Sequence, residues 1–179
     1  MNLPNKITVS RFAAAPLFLA FLIRYHRTGV SGYYLAALAV FTLAAISDGL
    51  DGYLARTRNQ RTRLGAFLDP LADKFFLNSA IVALSLGITP FFRVPAWFAI
   101  LVISRDLLIV GGALVIRLFK GGVEIVPNWW GKSAAVLQMA SVIWILLKIP
   151  FPDLIIFATA AITLISGITY IRAGIKQLE

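Results

Sequence analysis

The chain has 179 residues, 59% of them hydrophobic, and 17 Lys and Arg against 8 Asp and Glu give it a net charge of +9. A mean hydropathy of +0.83 excludes an ordinary soluble domain, in which roughly 45–50% of residues are apolar, and the absence of cysteine excludes disulfides, Cys-ligated zinc and thiol nucleophiles. The basic residues fall between apolar runs, so the charge points to anionic lipid headgroups or a phosphorylated substrate and away from nucleic acid.

Asn2 to Lys6 reads as the start of a short interfacial helix, since Asn2 can cap and Pro4 suits a first turn. A first membrane span follows from about Ile7 to Tyr25. It resembles a signal peptide but is expected to be retained, because Arg24, Tyr25, His26 and Arg27 stand where a small-residue cleavage site should be. His26 is expected in a solvated loop. The second span runs from about Tyr33 to Arg56, long enough to cross a bilayer core of about 20 helical residues. Thr57 to Arg63 is a polar loop, and a third span starts near Leu64 and ends before Pro90.

Span four covers about Val94 to Leu118 and carries Ser104-Arg105-Asp106 inside an apolar run. Span five covers Trp129 to Ile149, opening on Gly131-Lys132-Ser133, and span six about Asp153 to Ile171. Trp97, Trp129, Trp130, Tyr25, Tyr33 and Tyr34 fall near span ends, as an interfacial aromatic belt requires. The expected fold is therefore an all-α integral membrane protein of six transmembrane helices preceded by a short N-terminal interfacial helix. Residues 1–179 read as a single domain, because no linker or internal repeat divides them.

Eleven basic residues fall on the side of the N-terminus, the second and fourth loops and the C-terminus; Arg24, Arg27, Arg93 and Lys148 fall on the other. The positive-inside tendency places both termini in the cytoplasm.

Four acids stand out in this apolar chain. Asp48 and Asp51 are spaced i, i+3, and Asp69 and Asp73 i, i+4, so each pair projects from one face of its helix. The short loop between spans two and three makes them antiparallel neighbours and brings all four acids to one depth, at the cytoplasmic end. Carboxylates packed together need cations, and hard divalent ions with oxygen ligands suit them; Mg²⁺ commonly shares its shell with substrate phosphates. Gly52, Ala55 and Gly65 remove bulk nearby, and Arg56 is placed to meet a phosphate. The composition points to metal-assisted phosphoryl-type chemistry. Two other readings stand beside it. The acids could form interhelical salt bridges with Arg56, Lys74 and Arg105, or they could line the ion pathway of an ion-coupled transporter.

At these positions the sequence resembles the CDP-alcohol phosphotransferase superfamily, whose signature is D-x-x-D-G-x-x-A-R-x8-G-x-x-x-D-x-x-x-D. Asp48, Asp51, Gly52, Ala55, Arg56, Gly65, Asp69 and Asp73 match its eight fixed positions. Asn2-Leu-Pro-Asn5 with Thr8 and Arg11 looks like the N-terminal segment of the phospholipid-making members. The resemblance implies a homodimeric enzyme of the cell inner (cytoplasmic) membrane, its active site facing the cytoplasm, that transfers the phosphatidyl group of CDP-diacylglycerol to an alcohol and releases CMP. It also implies that Asp48, Asp51, Asp69 and Asp73 hold one or two Mg²⁺ or Mn²⁺ ions, two being the expectation, that Asp73 is the general base, and that Gly52, Ala55, Arg56 and Gly65 line the nucleotide pocket. Glycerol 3-phosphate is the expected acceptor, with Arg105, Arg117 and Lys132 binding its phosphate, because Lys120 to Lys132 is similar to the corresponding loop of bacterial phosphatidylglycerophosphate synthases. Ser104-Arg105-Asp106 looks more like the cardiolipin synthases of the superfamily, which keeps phosphatidylglycerol open as an alternative acceptor.

Overall fold

The computed structural model describes the backbone of residues 3–58, 63–120 and 128–178, and side chains within these except at 3–10, 48–58, 63–70, 117, 119, 120 and 178. Six α-helices account for nearly all of it: α1 Leu3–Thr28, α2 Ser31–Arg58, α3 Arg63–Ser85, α4 Ala96–Lys120, α5 Trp129–Leu146 and α6 Pro152–Leu178. No strand occurs among the described residues.

Two expectations are corrected. Among the described residues no separate interfacial helix precedes α1; Leu3–Thr28 is one helix of 26 residues. Pro4 lies in its first turn, where a missing N–H leaves no hydrogen bond unmade, and no glycine or proline between Lys6 and Phe12 could break it. The same helix carries past Tyr25 and takes His26 out of the expected loop and into its last turn, where Nδ1 lies 2.9 Å from the Ile88 carbonyl oxygen. Gly29 then ends the helix at φ 68°, its N–H donating to the Tyr25 carbonyl at 2.8 Å, a left-handed step that favours glycine.

Among the described residues two helices are long and apolar enough to cross a membrane, Ala96–Ile116 at mean hydropathy 2.2 and Pro152–Gln177 at 2.1. Only 28% of each is buried within the protein, whereas the central helix of a soluble core is mostly covered. Among the described residues of α2, Ser31–Ser47 is a shorter apolar stretch.

The described residues form two compact units, Met1–Val94 with Leu146–Lys148, and Pro95–Ile145 with Ile149–Glu179. In the first, α1 packs against both α2 and α3. Its buried stripe is Arg11, Ala15, Phe18 and Leu22; that of α2 is Tyr34, Ala37, Phe41 and Ala44; α3 contributes Phe76, Ala80 and Ala83. These alternate three- and four-residue steps keep one helical face turned inward. One phenylalanine from each helix meets in a layer, with ring centroids 5.5 Å apart for Phe18–Phe41, 6.1 Å for Phe18–Phe76 and 5.1 Å for Phe41–Phe76.

In the second unit α4 packs on α6, and α5 meets α6 along a polar seam. Gln138 Nε2 donates to Thr163 Oγ1 at 3.1 Å, and Ser141 and Thr159 share a hydroxyl contact of 2.7 Å, all four side chains being buried. Paired hydroxyls of this kind fix helix register where apolar contacts alone would let helices slide. Phe18 is fully buried in the three-ring layer, so Phe18→Ala should lower the free energy of unfolding by about 3–5 kcal/mol. Denaturant titration in detergent checks this, and a loss under about 1 kcal/mol would show that the layer is not the core of its unit.

Candidate active site

The phenylalanine layer gives a zero from which to place the acids. Asp48 lies seven residues beyond Phe41 along α2, and Asp69 seven residues before Phe76 along α3. Seven residues are within about 20° of two full turns. Each aspartate therefore stands on the same helix face as its phenylalanine, at a rise of about 10 Å. Asp51 and Ala55 continue the α2 stripe with further steps of three and four, and Asp73 sits between Asp69 and Phe76 on the α3 stripe. Of the four acids, Asp73 has a described side chain, and it lies on α3 one turn before the buried Phe76.

On α1, Arg11 lies seven residues before Phe18. Its guanidinium is 4% exposed and pairs through Nη1 with Asp73 Oδ1, a carboxylate that is 30% exposed. Sequence reasoning grouped Arg11 with the cytoplasmic charges and gave it no part in the site. The signal that could have found it is its place in the stripe Arg11, Ala15, Phe18, Leu22, where an arginine occupies a position every other member uses for packing.

Asp48, Asp51, Gly52, Ala55 and Arg56 lie in the C-terminal part of α2, and Gly65 and Asp69 in the first turns of α3. The side chains of these seven, and that of Arg117 near the end of α4, lie outside the described ones. Of the four aspartates only Asp73 has a described side chain, and no group of three His, Asp or Glu forms among the described residues. Donor chemistry on the two helices fits a hard divalent ion: carboxylates alone, no cysteine anywhere, and the sole histidine at the opposite end of α1.

The remaining sequence-predicted residues belong to the second unit. Arg105 is 5% exposed in α4. Its Nη1 donates to Asp106 Oδ1 at 2.9 Å, its Nη2 to Ser166 Oγ at 2.5 Å, and its guanidinium carbon lies 5.5 Å from the centre of the Tyr170 ring. Adjacent residues on a helix point about 100° apart, so nothing in the spacing suggested Asp106 as the partner. Lys132 is exposed in the first turn of α5, its Nζ 5.8 Å from the centre of the Trp129 ring. An apolar cavity of about 690 Å³ in this unit is lined by Ser104, Leu108, Gly112 and Tyr170, among others.

Residues 1–169 match the sequence model of the family described as CDP-alcohol phosphatidyltransferase. The chain is 34% identical to the CDP-diacylglycerol--glycerol-3-phosphate 3-phosphatidyltransferase of Bacillus subtilis strain 168, over 99% of this chain and 97% of that one. It is 35% identical to the protein of the same name from Pseudomonas fluorescens, over 100% and 93%. Identity to the probable phosphatidylglycerophosphate synthase of Mycobacterium tuberculosis is 32%, over 99% and 83%.

The Arg11–Asp73 pair gives a test that needs no substrate. Removing one member of a buried ion pair costs about 3–5 kcal/mol, and the 30% exposure of Asp73 places Asp73→Ala at the low end, about 3 kcal/mol. The double variant with Arg11→Ala should lose clearly less than the sum of the two single losses, measured by denaturant unfolding in detergent. Additive losses would show that the two side chains do not depend on each other.

Proposed function

We propose, from the premise that the chain belongs to the CDP-alcohol phosphatidyltransferase family, that it makes phosphatidylglycerophosphate. It is a transferase of phospholipid biosynthesis that moves the phosphatidyl group of CDP-diacylglycerol to glycerol 3-phosphate and releases CMP. Full-length similarity to relatives that carry this activity in their names supports the reaction. The structural observation that supports the site is the Arg11–Asp73 ion pair, which holds one of the four acids against α1; Asp48, Asp51 and Asp69 are grouped with it by their spacing along α2 and α3.

Asp48, Asp51, Asp69 and Asp73 hold Mg²⁺ or Mn²⁺, as a pair of ions. Divalent ions there supply neutralisation of the diphosphate charge. Asp73 takes the proton of the attacking hydroxyl of glycerol 3-phosphate as that oxygen bonds to the phosphorus bearing diacylglycerol. The bond from that phosphorus to the bridging oxygen breaks, and CMP leaves with the electron pair. A base works only within about one hydrogen bond of the proton it accepts, so the stripe position of Asp73 and its pairing with Arg11 bear directly on this role. Gly52, Ala55 and Gly65 let the nucleotide approach the helix backbones, and Arg56 meets a phosphate. Arg105, Arg117 and Lys132 bind the phosphate of the acceptor.

Residues 1–179 act as one domain, its six helices crossing the cell inner membrane, the acids facing the cytoplasm, and the enzyme working as a homodimer. Phosphatidylglycerol is the second reading for the acceptor. The apolar cavity lined by Ser104 and Tyr170, the latter lying over Arg105, favours it, since an acceptor with acyl chains would need such a space.

Purified protein with CDP-diacylglycerol, Mg²⁺ and glycerol 3-phosphate should release CMP and form phosphatidylglycerophosphate, identified by mass spectrometry. Chelation should stop turnover, and restored Mg²⁺ or Mn²⁺ should recover it. Asp73→Asn should lower kcat by about 100-fold or more, the usual span for a lost general base, and unchanged turnover would remove Asp73 from that role. Cardiolipin formed from phosphatidylglycerol in place of phosphatidylglycerophosphate would establish the second reading.

A further inference from the structure

We propose that Ser166, Tyr170 and Gly131 are positioning residues that fix the guanidinium of Arg105 and thereby set the affinity for the phosphate of the acceptor. The inference rests on the reading that Arg105 binds that phosphate. A guanidinium is a planar fork of five N–H donors, useful for an anion only when its plane and its free edge are held.

Three helices of the second unit constrain this one group. From α6, Ser166 accepts from Nη2 at 2.5 Å and Tyr170 lays its ring over the guanidinium at 5.5 Å. The hydrogen bond limits rotation within the plane and the ring limits tilt out of it. From α5, Gly131 comes so close that a Cβ there would lie 3.3 Å from Nη2 and 3.0 Å from both Cε2 and the hydroxyl of Tyr170. From α4, Asp106 takes Nη1 at 2.9 Å.

The α5 start is itself tied to the same stretch of α6. Asn128 Nδ2 donates to Thr169 Oγ1 at 2.6 Å, and Thr169 Oγ1 donates to the Ser166 carbonyl at 2.8 Å. Ser166 is wholly buried, so its hydroxyl cannot exchange Arg105 for bulk water.

Against this held frame, Arg105 Nε is buried and has no hydrogen-bond partner among the described residues. Buried donors are normally paired, and a purely structural arginine with two of its nitrogens already placed would be expected to use the third. An unused edge on a group fixed from three directions fits a donor kept for an incoming anion.

Steady-state kinetics on the full-length enzyme in detergent, with CDP-diacylglycerol and glycerol 3-phosphate varied separately, tests this. Ser166→Ala should raise KM for glycerol 3-phosphate about tenfold, the effect of one lost hydrogen bond to a charged group. It should leave kcat and KM for CDP-diacylglycerol within about twofold, a split that general loss of folding would not produce. Ser166→Thr keeps the hydroxyl and should restore most of the affinity. Ser166→Ala added to Arg105→Ala should cause little further loss, since both act through one group. An unchanged KM for glycerol 3-phosphate in Ser166→Ala, with Arg105→Ala raising it, would overturn the positioning role alone. If Arg105→Ala leaves that KM unchanged, the acceptor-binding reading of Arg105 falls instead. If Ser166→Ala does not fold, Gly131→Ala removes no hydrogen bond and displaces the same guanidinium by a few tenths of an ångström; it should raise KM about threefold, and no change there would also overturn the proposal.

Discussion

A charged side chain on an apolar helix must face the protein and find a counter-charge there, because neither a hydrocarbon phase nor a packed core solvates it. That constraint governs the first unit. Arg11, Asp48 and Asp69 each stand seven residues from the phenylalanine their helix contributes to the ring layer. On α1 the same periodicity that buries Phe18 carries Arg11 inward two turns away, where it meets Asp73 of α3. Packing and chemistry share one register. A slip of one residue in α1 would turn Phe18 and Arg11 away together, by about 100°.

The Arg11–Asp73 pair shows how the cost of this arrangement is limited. Arg11 is almost wholly covered while Asp73 keeps partial exposure, an asymmetry that leaves the carboxylate reachable and the cation fixed. Like charges on α2 and α3 would otherwise work against the packing of the two helices, and Arg11 offsets one of them.

Much of this was legible in the sequence, and the exceptions have separate local and tertiary causes. The helices fell where apolar runs and their Gly, Pro and charged punctuation placed them. α5 stops at Leu146, short of the expected Ile149, because Lys148 adopts a positive φ of 54° in the turn that follows. The continuous α1 was missed because a proline near a helix start reads equally as the beginning of a short helix or of a long one. Spacing alone exposed the two aspartate pairs, since i, i+3 and i, i+4 relations are local. The partners of Asp73 and Arg105 were not legible. Which residue of α1 meets α3, or which hydroxyl of α6 meets α4, depends on how helix faces dock, and a lone arginine or serine in an apolar run carries no mark of its neighbour.

The second unit solves the problem of burial by a different route. Arg105 takes its counter-charge from the adjacent Asp106 and its orientation from Ser166 and Tyr170 across the helix interface. The α6 hydroxyls Thr159, Thr163, Ser166 and Thr169 recur every three or four residues. Two of them lock α5 through Ser141 and Gln138, one holds Arg105, and one ties Asn128 at the start of α5. The stripe that fixes the register of α5 against α6 thus also determines where Gly131 approaches Arg105. A slip of one helical turn along that seam would break the hydroxyl pairs and withdraw Gly131 and Ser166 from the guanidinium at once. Helix packing and the orientation of a single cation are one constraint here, as packing and the pairing of Arg11 with Asp73 are in α1 and α3.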